Sequence, residues 1–254
     1  FWRAMTQWIG GLGIGFFTIA VLPIFGMGGI QVFAAEASGP THDKVHPRIG
    51  VTAKWIWCIY AGMTGTLIVL LVFGGMSVFD SICHAFTTTS TGGFSTKQNS
   101  IAYWDSAYIQ YVIIIFTFMA GTNFGLLHTA INFTLLLLMF NGKIKKFIHD
   151  AELKFYFICV SFFTIFIAFW LYRTCDMGVE EAFRKSLFQV ISLQTSTGFA
   201  TADYMLWPSI LWGCLIVVML IGACAGSTTG GIKCIRMVIL FKVAKNEFKH
   251  ILHP

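Results

Sequence analysis

The chain has 254 residues, of which 56% are hydrophobic and only 11% are charged. Soluble globular domains carry about 25% charged residues, so this composition excludes a protein wrapped in a polar, water-facing surface and indicates an integral membrane protein. The net charge of +6 fits the basic cytoplasmic loops of membrane proteins better than nucleic-acid binding.

Five apolar stretches follow one another along the chain, and each approaches or exceeds the length of about 20 residues that a spanning helix needs. They are 8–25, 55–73, 108–140, 155–172 and 210–240. The third and the fifth are too long for one simple span. Each is interrupted by a glycine-rich polar stretch, at 120–128 and at 222–233.

Two shorter stretches, 79–88 and 179–194, are too short or too polar to cross a membrane. Each begins with acidic residues, Asp80 in the first and Glu180 and Glu181 in the second. Acidic side chains in a first turn favour the start of a helix, so we predict two short helices.

Each predicted short helix runs into almost the same small polar phrase, TSTGGFST at 89–96 and TSTGFAT at 195–201. The repeated unit is therefore a long helix, a short helix, a TSTG turn and a long helix. Matching the letters pairs Gly92 with Gly198 and leaves Gly93 as an extra glycine in the first copy.

Most of the Lys and Arg residues fall in three stretches, 44–54, 143–154 and 236–249. Because cytoplasmic loops carry an excess of these residues, the three stretches are expected inside. Both TSTG turns then face outward, and the short helices are predicted to be re-entrant.

The TSTG turns offer an oxygen-rich chemistry. Non-helical backbone at membrane depth is tolerated where it is buried in protein or lines a watery cavity, and carbonyl rings can replace the water around a bare alkali cation. Neither phrase contains a carboxylate, which disfavours a divalent cation. The alternative is that small residues only allow helices to pack closely.

Five motifs together resemble the Trk/Ktr/HKT superfamily of potassium transporters, most closely its bacterial TrkH-type subunits. They are FWRAMTQWIGGLGI (1–14), QVFAAEASGP with HPRI (31–40 and 46–49), HAFTTTSTGGFST (84–96), QVISLQTSTGFATADY (189–204) and CAGSTTGGIKCIR (224–236). The resemblance covers essentially the whole chain.

The resemblance implies an all-α integral membrane fold, in which repeated helix–pore helix–filter loop–helix units surround a pseudo-fourfold, potassium-channel-like pore. The chain would divide into the last helix of unit one (1–30), a cytoplasmic loop (31–54), unit two (55–141), a second cytoplasmic loop (142–154), unit three with a broken last helix (155–245), and the lead into unit four (246–254). We expect the chain to be a fragment that holds two of four filters.

The resemblance also implies the function and the site. The expected activity is potassium uptake, and the filter residues would bind the ion. These are Thr89, Ser90, Thr91, Gly92, Thr195, Ser196, Thr197 and Gly198.

The polar stretch inside the fifth apolar run would form an intramembrane gate loop. Its residues are Gly226, Ser227, Thr228, Thr229, Gly230, Gly231 and Lys233. The alternative is a passive kink. A phosphate-binding loop is excluded, because Ile232 stands where that motif requires Lys.

Four polar residues lie in or next to these stretches. Lys233 could repel potassium or cap loop carbonyls, or it could extend to the inner interface. Asn123 is expected to satisfy backbone groups near Gly121 and Gly125, His128 to be a hydrogen-bonded core residue, and His84 to face the outer vestibule.

The resemblance implies a multi-pass protein of the bacterial inner membrane, a homodimer, and a cytosolic nucleotide-binding regulatory ring of the TrkA/KtrA type. No cofactor is expected, with potassium as the substrate. An enzyme is not expected, because the candidate nucleophiles Ser90, Ser196 and Ser227 have no evident His or acid partner. The alternative function is a non-transporting membrane scaffold or sensor derived from a truncated transporter.

Overall fold

The structure is a computed structural model that describes residues 1–13, 49–125, 127, 150–175 and 177–252. Within these residues the regular elements are helices. The α-helices are α1 (Trp2–Gly11), α2 (Ile49–Phe73), α3 (Val78–Thr89), α4 (Ala107–Ala120), α5 (Ala151–Thr174), α6 (Val179–Gln194), α7 (Ser209–Ile221) and α8 (Cys234–Leu252). Short 3-10 helices lie at Ser100–Tyr103 and Tyr204–Leu206.

Among the described residues, two helices are long and apolar enough to cross a membrane. They contain the predicted spans 55–73 and 155–172: Lys54–Phe73 within α2, and all of α5, each reach a mean hydropathy of 2.1. The outer face of α5 exposes more than half of each of Phe157, Phe162 and Ile165. Such a face suits contact with lipid, because no polar group there needs water.

The two over-long apolar stretches are broken, as predicted. Helix α4 ends at Ala120, and α7 ends at Ile221, thirteen positions before α8 begins at Cys234. Gly222 takes a positive φ of 70° directly after α7, a conformation that ends the helix and suits a residue without a Cβ. Residues 126 and 128–140 of the third stretch, and 14–25 of the first, lie outside the described residues.

The predicted short helices are present as α3 and α6, with 12 and 16 residues. The Ser77 side chain caps α3 by accepting a hydrogen bond from the Asp80 backbone N–H at 3.1 Å. Glu180 lies in the first turn of α6 and pairs with Arg184 at 2.9 Å. Hydrogen bonds from Arg184 lower the pKa of the exposed Glu180 carboxyl below its ordinary value.

The short helices are enclosed by the longer ones in two separate cores. Around α3, the buried Tyr60 ring stacks on Trp8 at 5.4 Å between centroids, and its hydroxyl donates to the Trp8 carbonyl at 2.9 Å. Around α6, a second cluster joins α5 and α7 through Ile167, Leu171, Leu211 and Val218. The first cluster also contains Phe188 and Ile191 of α6 and Phe199 of the second TSTG turn, so it packs against both turns.

Contacts between the two units bring the ends of the short helices together. The Arg184 side chain on α6 donates to the Gln110 side chain on α4 at 2.5 Å. Beyond the turns, the Ala102 N–H donates to the Ala200 carbonyl at 3.1 Å, and the Ala200 N–H donates to the Ser100 hydroxyl at 3.3 Å. The two TSTG turns therefore lie next to each other in the fold.

Candidate functional site

The first TSTG turn (90–94) folds back onto the end of α3. The Thr91 N–H donates to the Thr88 carbonyl at 3.1 Å, and the N–H groups of Gly92 and Gly93 both donate to the Thr87 carbonyl, at 2.7 and 3.3 Å. Thr91 and Gly93 have φ values of 52° and 66°. A left-handed conformation thus recurs at alternate residues of the turn.

The second TSTG turn (195–199) repeats the same backbone at the end of α6. The Ser196 N–H donates to the Leu193 carbonyl at 3.0 Å, and the N–H groups of Thr197 and Gly198 donate to the Ser192 carbonyl at 2.8 and 3.2 Å. Ser196 and Gly198 have φ values of 57° and 83°. The two turns are structural copies of each other.

These hydrogen bonds correct the register that the matched letters predict. Gly93, not Gly92, is the counterpart of Gly198, because both glycines have positive φ and both donate to the equivalent helix carbonyl. Gly92 takes the place of Thr197. The letter match is therefore shifted by one residue, and Gly93 is not an extra residue but the conformationally required glycine of the first turn.

The corrected register also identifies two hydroxyl groups that the sequence analysis missed. The Thr87 side chain donates to the Phe94 carbonyl at 2.8 Å, and the Ser192 side chain donates to the Phe199 carbonyl at 2.6 Å. Each hydroxyl thus joins the short helix before a turn to the residue that follows that turn. Aligning the shared phenylalanine instead of the TSTG letters would have pointed to this pair.

The carbonyl groups of both turns face away from the short helices. In a trans peptide the N–H of one residue and the C=O of the residue before it point in opposite directions. Since three consecutive N–H groups of each turn point back at α3 or α6, the preceding carbonyls point outward into the space beyond the helix ends. These carbonyls belong to Ser90, Thr91, Gly92, Thr195, Ser196 and Thr197.

The two turns lie in direct contact through their backbones. A Cβ atom on Gly93 would overlap the carbonyl oxygen of Thr197. A Cβ atom on Gly92 would instead meet the side chain of Gln7 from α1. Close approach of the turns therefore depends on Gly93, while Gly92 faces a side chain that can move.

The loop that joins α7 to α8 (222–233) contains all of the predicted gate residues and is called the gate loop below. Its tip (226–230) packs against the first turn. The Thr228 hydroxyl donates to the Thr89 carbonyl at 3.2 Å, and the Thr91 hydroxyl donates to the Thr228 carbonyl at 3.1 Å. At the second turn, a Cβ on Gly230 would lie 3.1 Å from the Ser196 hydroxyl oxygen. The loop tip therefore lies against both turns.

Two backbone hydrogen bonds hold the two ends of the gate loop, its base, close together. The Ile232 N–H donates to the Leu220 carbonyl at 3.2 Å, and the Cys234 N–H donates to the Ala223 carbonyl at 2.9 Å. A Cβ on Gly231 would lie 2.7 Å from the Gly222 Cα. The ends of α7 and α8 are therefore held together independently of the tip.

Lys233 caps the gate loop and does not extend to the inner interface. The residue is only 8% exposed, and its ammonium group donates to the carbonyl and the hydroxyl of Thr229. The Ser227 hydroxyl in turn contacts the Thr229 hydroxyl at 2.7 Å. The tip is consequently a hydrogen-bonded structure, which a passive kink does not require.

Asn123 and His84 both have hydrogen-bond partners in the described part of the chain. The Asn123 side chain accepts the Gly125 N–H at 2.8 Å, which confirms its predicted role. His84 is fully buried and contacts the Asp80 carbonyl and the Ser95 hydroxyl, so its predicted place in the outer vestibule is wrong. His128 lies outside the described residues.

The comparisons with known proteins agree with this geometry. The family described as "TrkH: Cation transport protein" matches residues 1–254. The chain is 42% identical to the Trk system potassium uptake protein TrkH of Escherichia coli K12, covering 100% of the chain and 51% of that protein. It is 35% identical to TrkH of Halomonas elongata, again over 100% of the chain and 51% of the relative.

A solved structure shows the same fold. The crystal structure of the potassium transporter TrkH from Vibrio parahaemolyticus matches with a TM-score of 0.82 and 32% identity, over 100% of this chain and 50% of that one. The chain spans about half the length of the curated relatives it matches. It belongs to the TrkH family of cation transport proteins.

Proposed function

We propose that this chain supplies two of the pore units of a potassium uptake protein. The observation that carries the proposal is the pair of matching turns, in which consecutive carbonyls face away from the short helices. Such carbonyls can take over the coordination of a dehydrated alkali cation. Relatives named potassium uptake proteins support potassium as that cation.

The binding groups would be the backbone oxygens of the two turns. The first turn contributes the carbonyl oxygens of Ser90, Thr91 and Gly92. The equivalent oxygens of the second turn are those of Thr195, Ser196 and Thr197. Thr89 and Gly198, at the two ends of the predicted set, would border this site. The C-terminal ends of α3 and α6 add partial negative charge nearby.

The gate loop would control access to the turns. Its Thr228 hydroxyl already uses the Thr89 carbonyl, so an ion that passes this point requires the tip to withdraw. The membrane potential can drive the movement of the ion with about 2.3 kcal/mol per charge per 100 mV. Transport therefore needs no resident cofactor in this chain, and no enzymatic step.

The proposed setting is the bacterial inner membrane, which the complete protein would cross several times as a homodimer. A cytosolic nucleotide-binding subunit of the TrkA/KtrA type would regulate it. The basic stretches 44–54, 143–154 and 236–249 support this orientation and could meet such a subunit.

The test is rubidium or potassium uptake by the full reading frame that contains this chain, in cells without other potassium uptake, with Gly198→Ser beside the wild type. Gly198 has φ +83°, so serine strains the turn at a cost of about 1–2 kcal/mol. We expect the wild type to take up potassium and the variant to admit more sodium. A wild type that reaches the membrane and stays silent with its regulator present would favour the scaffold function.

A further inference from the structure

A buried acidic side chain lies against the gate loop and is not part of the filter. Glu152 stands in the first turn of α5 and is only 7% exposed. Its Oε1 atom accepts the Ala225 N–H at 2.6 Å and the Ile235 N–H at 3.2 Å. One oxygen atom therefore binds both sides of the loop.

The two amides that Glu152 binds flank the tip of the gate loop. Ala225 immediately precedes the tip, and Ile235 lies in the first turn of α8. N–H groups in the first turn of a helix have no partner within that helix, and a carboxylate is favourable there. Glu152 thus stabilises the loop and the helix that follows it in one arrangement.

We infer that Glu152 is the positioning residue that holds the gate loop in its closed place, an inference that rests on the proposed function. The geometry assigns it this role because neither amide is held by the loop tip itself. If α5 shifts at its start, the single oxygen leaves both amides together. The loop is then released at both sides, while the backbone hydrogen bonds at its base remain.

The position of the oxygen is fixed by the start of α5. The Asp150 carboxylate caps this helix by accepting the Leu153 N–H at 2.9 Å, and α5 then continues for 24 residues. The segment before it, 143–149, belongs to the basic stretch that is expected inside. A displacement of the start of α5 would therefore reach the gate loop through one side chain.

Two conservative variants of Glu152 distinguish the effect of side-chain length from the effect of charge. Glu152→Gln keeps an Oε1 acceptor at the same distance and loses the charge, whereas Glu152→Asp keeps the charge and withdraws the oxygen by one methylene. We expect Glu152→Asp to raise rubidium uptake about tenfold in cells that lack the regulatory subunit, and Glu152→Gln to stay within about twofold of wild type. The ratio of sodium to potassium uptake should not change in either variant.

Two control variants accompany the Glu152 variants. Glu181→Gln removes an exposed acid that pairs with Lys185 on α6 and should leave uptake unchanged. A rise in Glu152→Gln without a rise in Glu152→Asp would overturn the inference, because the loop would then stay closed although its two amides had lost the oxygen that holds them. No rise in either, beside a raised flux in a variant with a shortened loop tip, would also overturn it while leaving the proposed function intact.

A second measurement covers the case in which the variants fail to insert. Hydrogen exchange of the wild-type full reading frame in detergent should show protected amides at Ala225 and Ile235. Rapid exchange at both would contradict the inference. A wild type without potassium uptake would count against the proposed function instead, since that result does not depend on Glu152.

Discussion

Gly93→Ala should reduce potassium uptake to about one-tenth of wild type or less, measured per amount of protein in the membrane. Two costs coincide at this residue. The left-handed φ of 66° is unfavourable for alanine by about 1–2 kcal/mol, and the new Cβ would overlap the Thr197 carbonyl oxygen. Because that oxygen belongs to the backbone of the other turn, no side-chain rotation relieves the overlap.

Two neighbouring glycines provide matched controls, since each carries only one of these costs. Gly198 has φ +83° but open space around its Cα, so Gly198→Ala introduces strain alone and should be intermediate. Gly92 has no positive φ and faces the flexible Gln7 side chain. Gly92→Ala should remain within about threefold of wild type.

The order of the three variants tests the corrected register. Uptake of rubidium and sodium, normalised to membrane content, is measured for each variant under the same gradient. If Gly92→Ala proves as damaging as Gly198→Ala while Gly93→Ala is tolerated, then the letter match is correct and the structural register is wrong.

The helical framework could be predicted because it depends on composition and local chemistry. Apolar length placed the spans within α2 and α5, and acidic first turns placed α3 and α6. The breaks after Ala120 and Ile221 were visible as glycine-rich polar runs. Each of these signals acts within one turn of helix or over one continuous stretch.

The site could be predicted only in part, because its decisive contacts join distant residues. The TSTG phrases located the turns, but the one-residue shift at Gly93 depends on hydrogen bonds to α3 that the letters do not encode. Glu152 reads in the sequence as an ordinary helix-start acid, although its partners lie more than seventy residues away. The two interpretations of Lys233 could be separated only by its contact with Thr229.

Deletion of residues 227–229 should raise basal potassium uptake about tenfold or more in cells that lack the regulatory subunit. The deletion removes Thr228, whose hydroxyl and carbonyl both bind the first turn, and with it the part of the loop that lies against the turns. Each lost hydrogen bond is worth about 1 kcal/mol. Losing two therefore shifts a closed-to-open equilibrium by roughly a factor of ten to thirty.

The deletion also removes Thr229, the partner of the Lys233 ammonium group, so membrane content is measured beside uptake. Backbone bonds from Ile232 to Leu220 and from Cys234 to Ala223 lie outside the deleted residues, so α7 and α8 stay joined. Thr228→Ser, which keeps the hydroxyl, should match wild type, and Thr228→Val, which removes it, should fall between wild type and the deletion. Unchanged uptake in the deletion at normal membrane content would mean that the loop is a passive kink, because a tip that blocks the path cannot be removed without opening it.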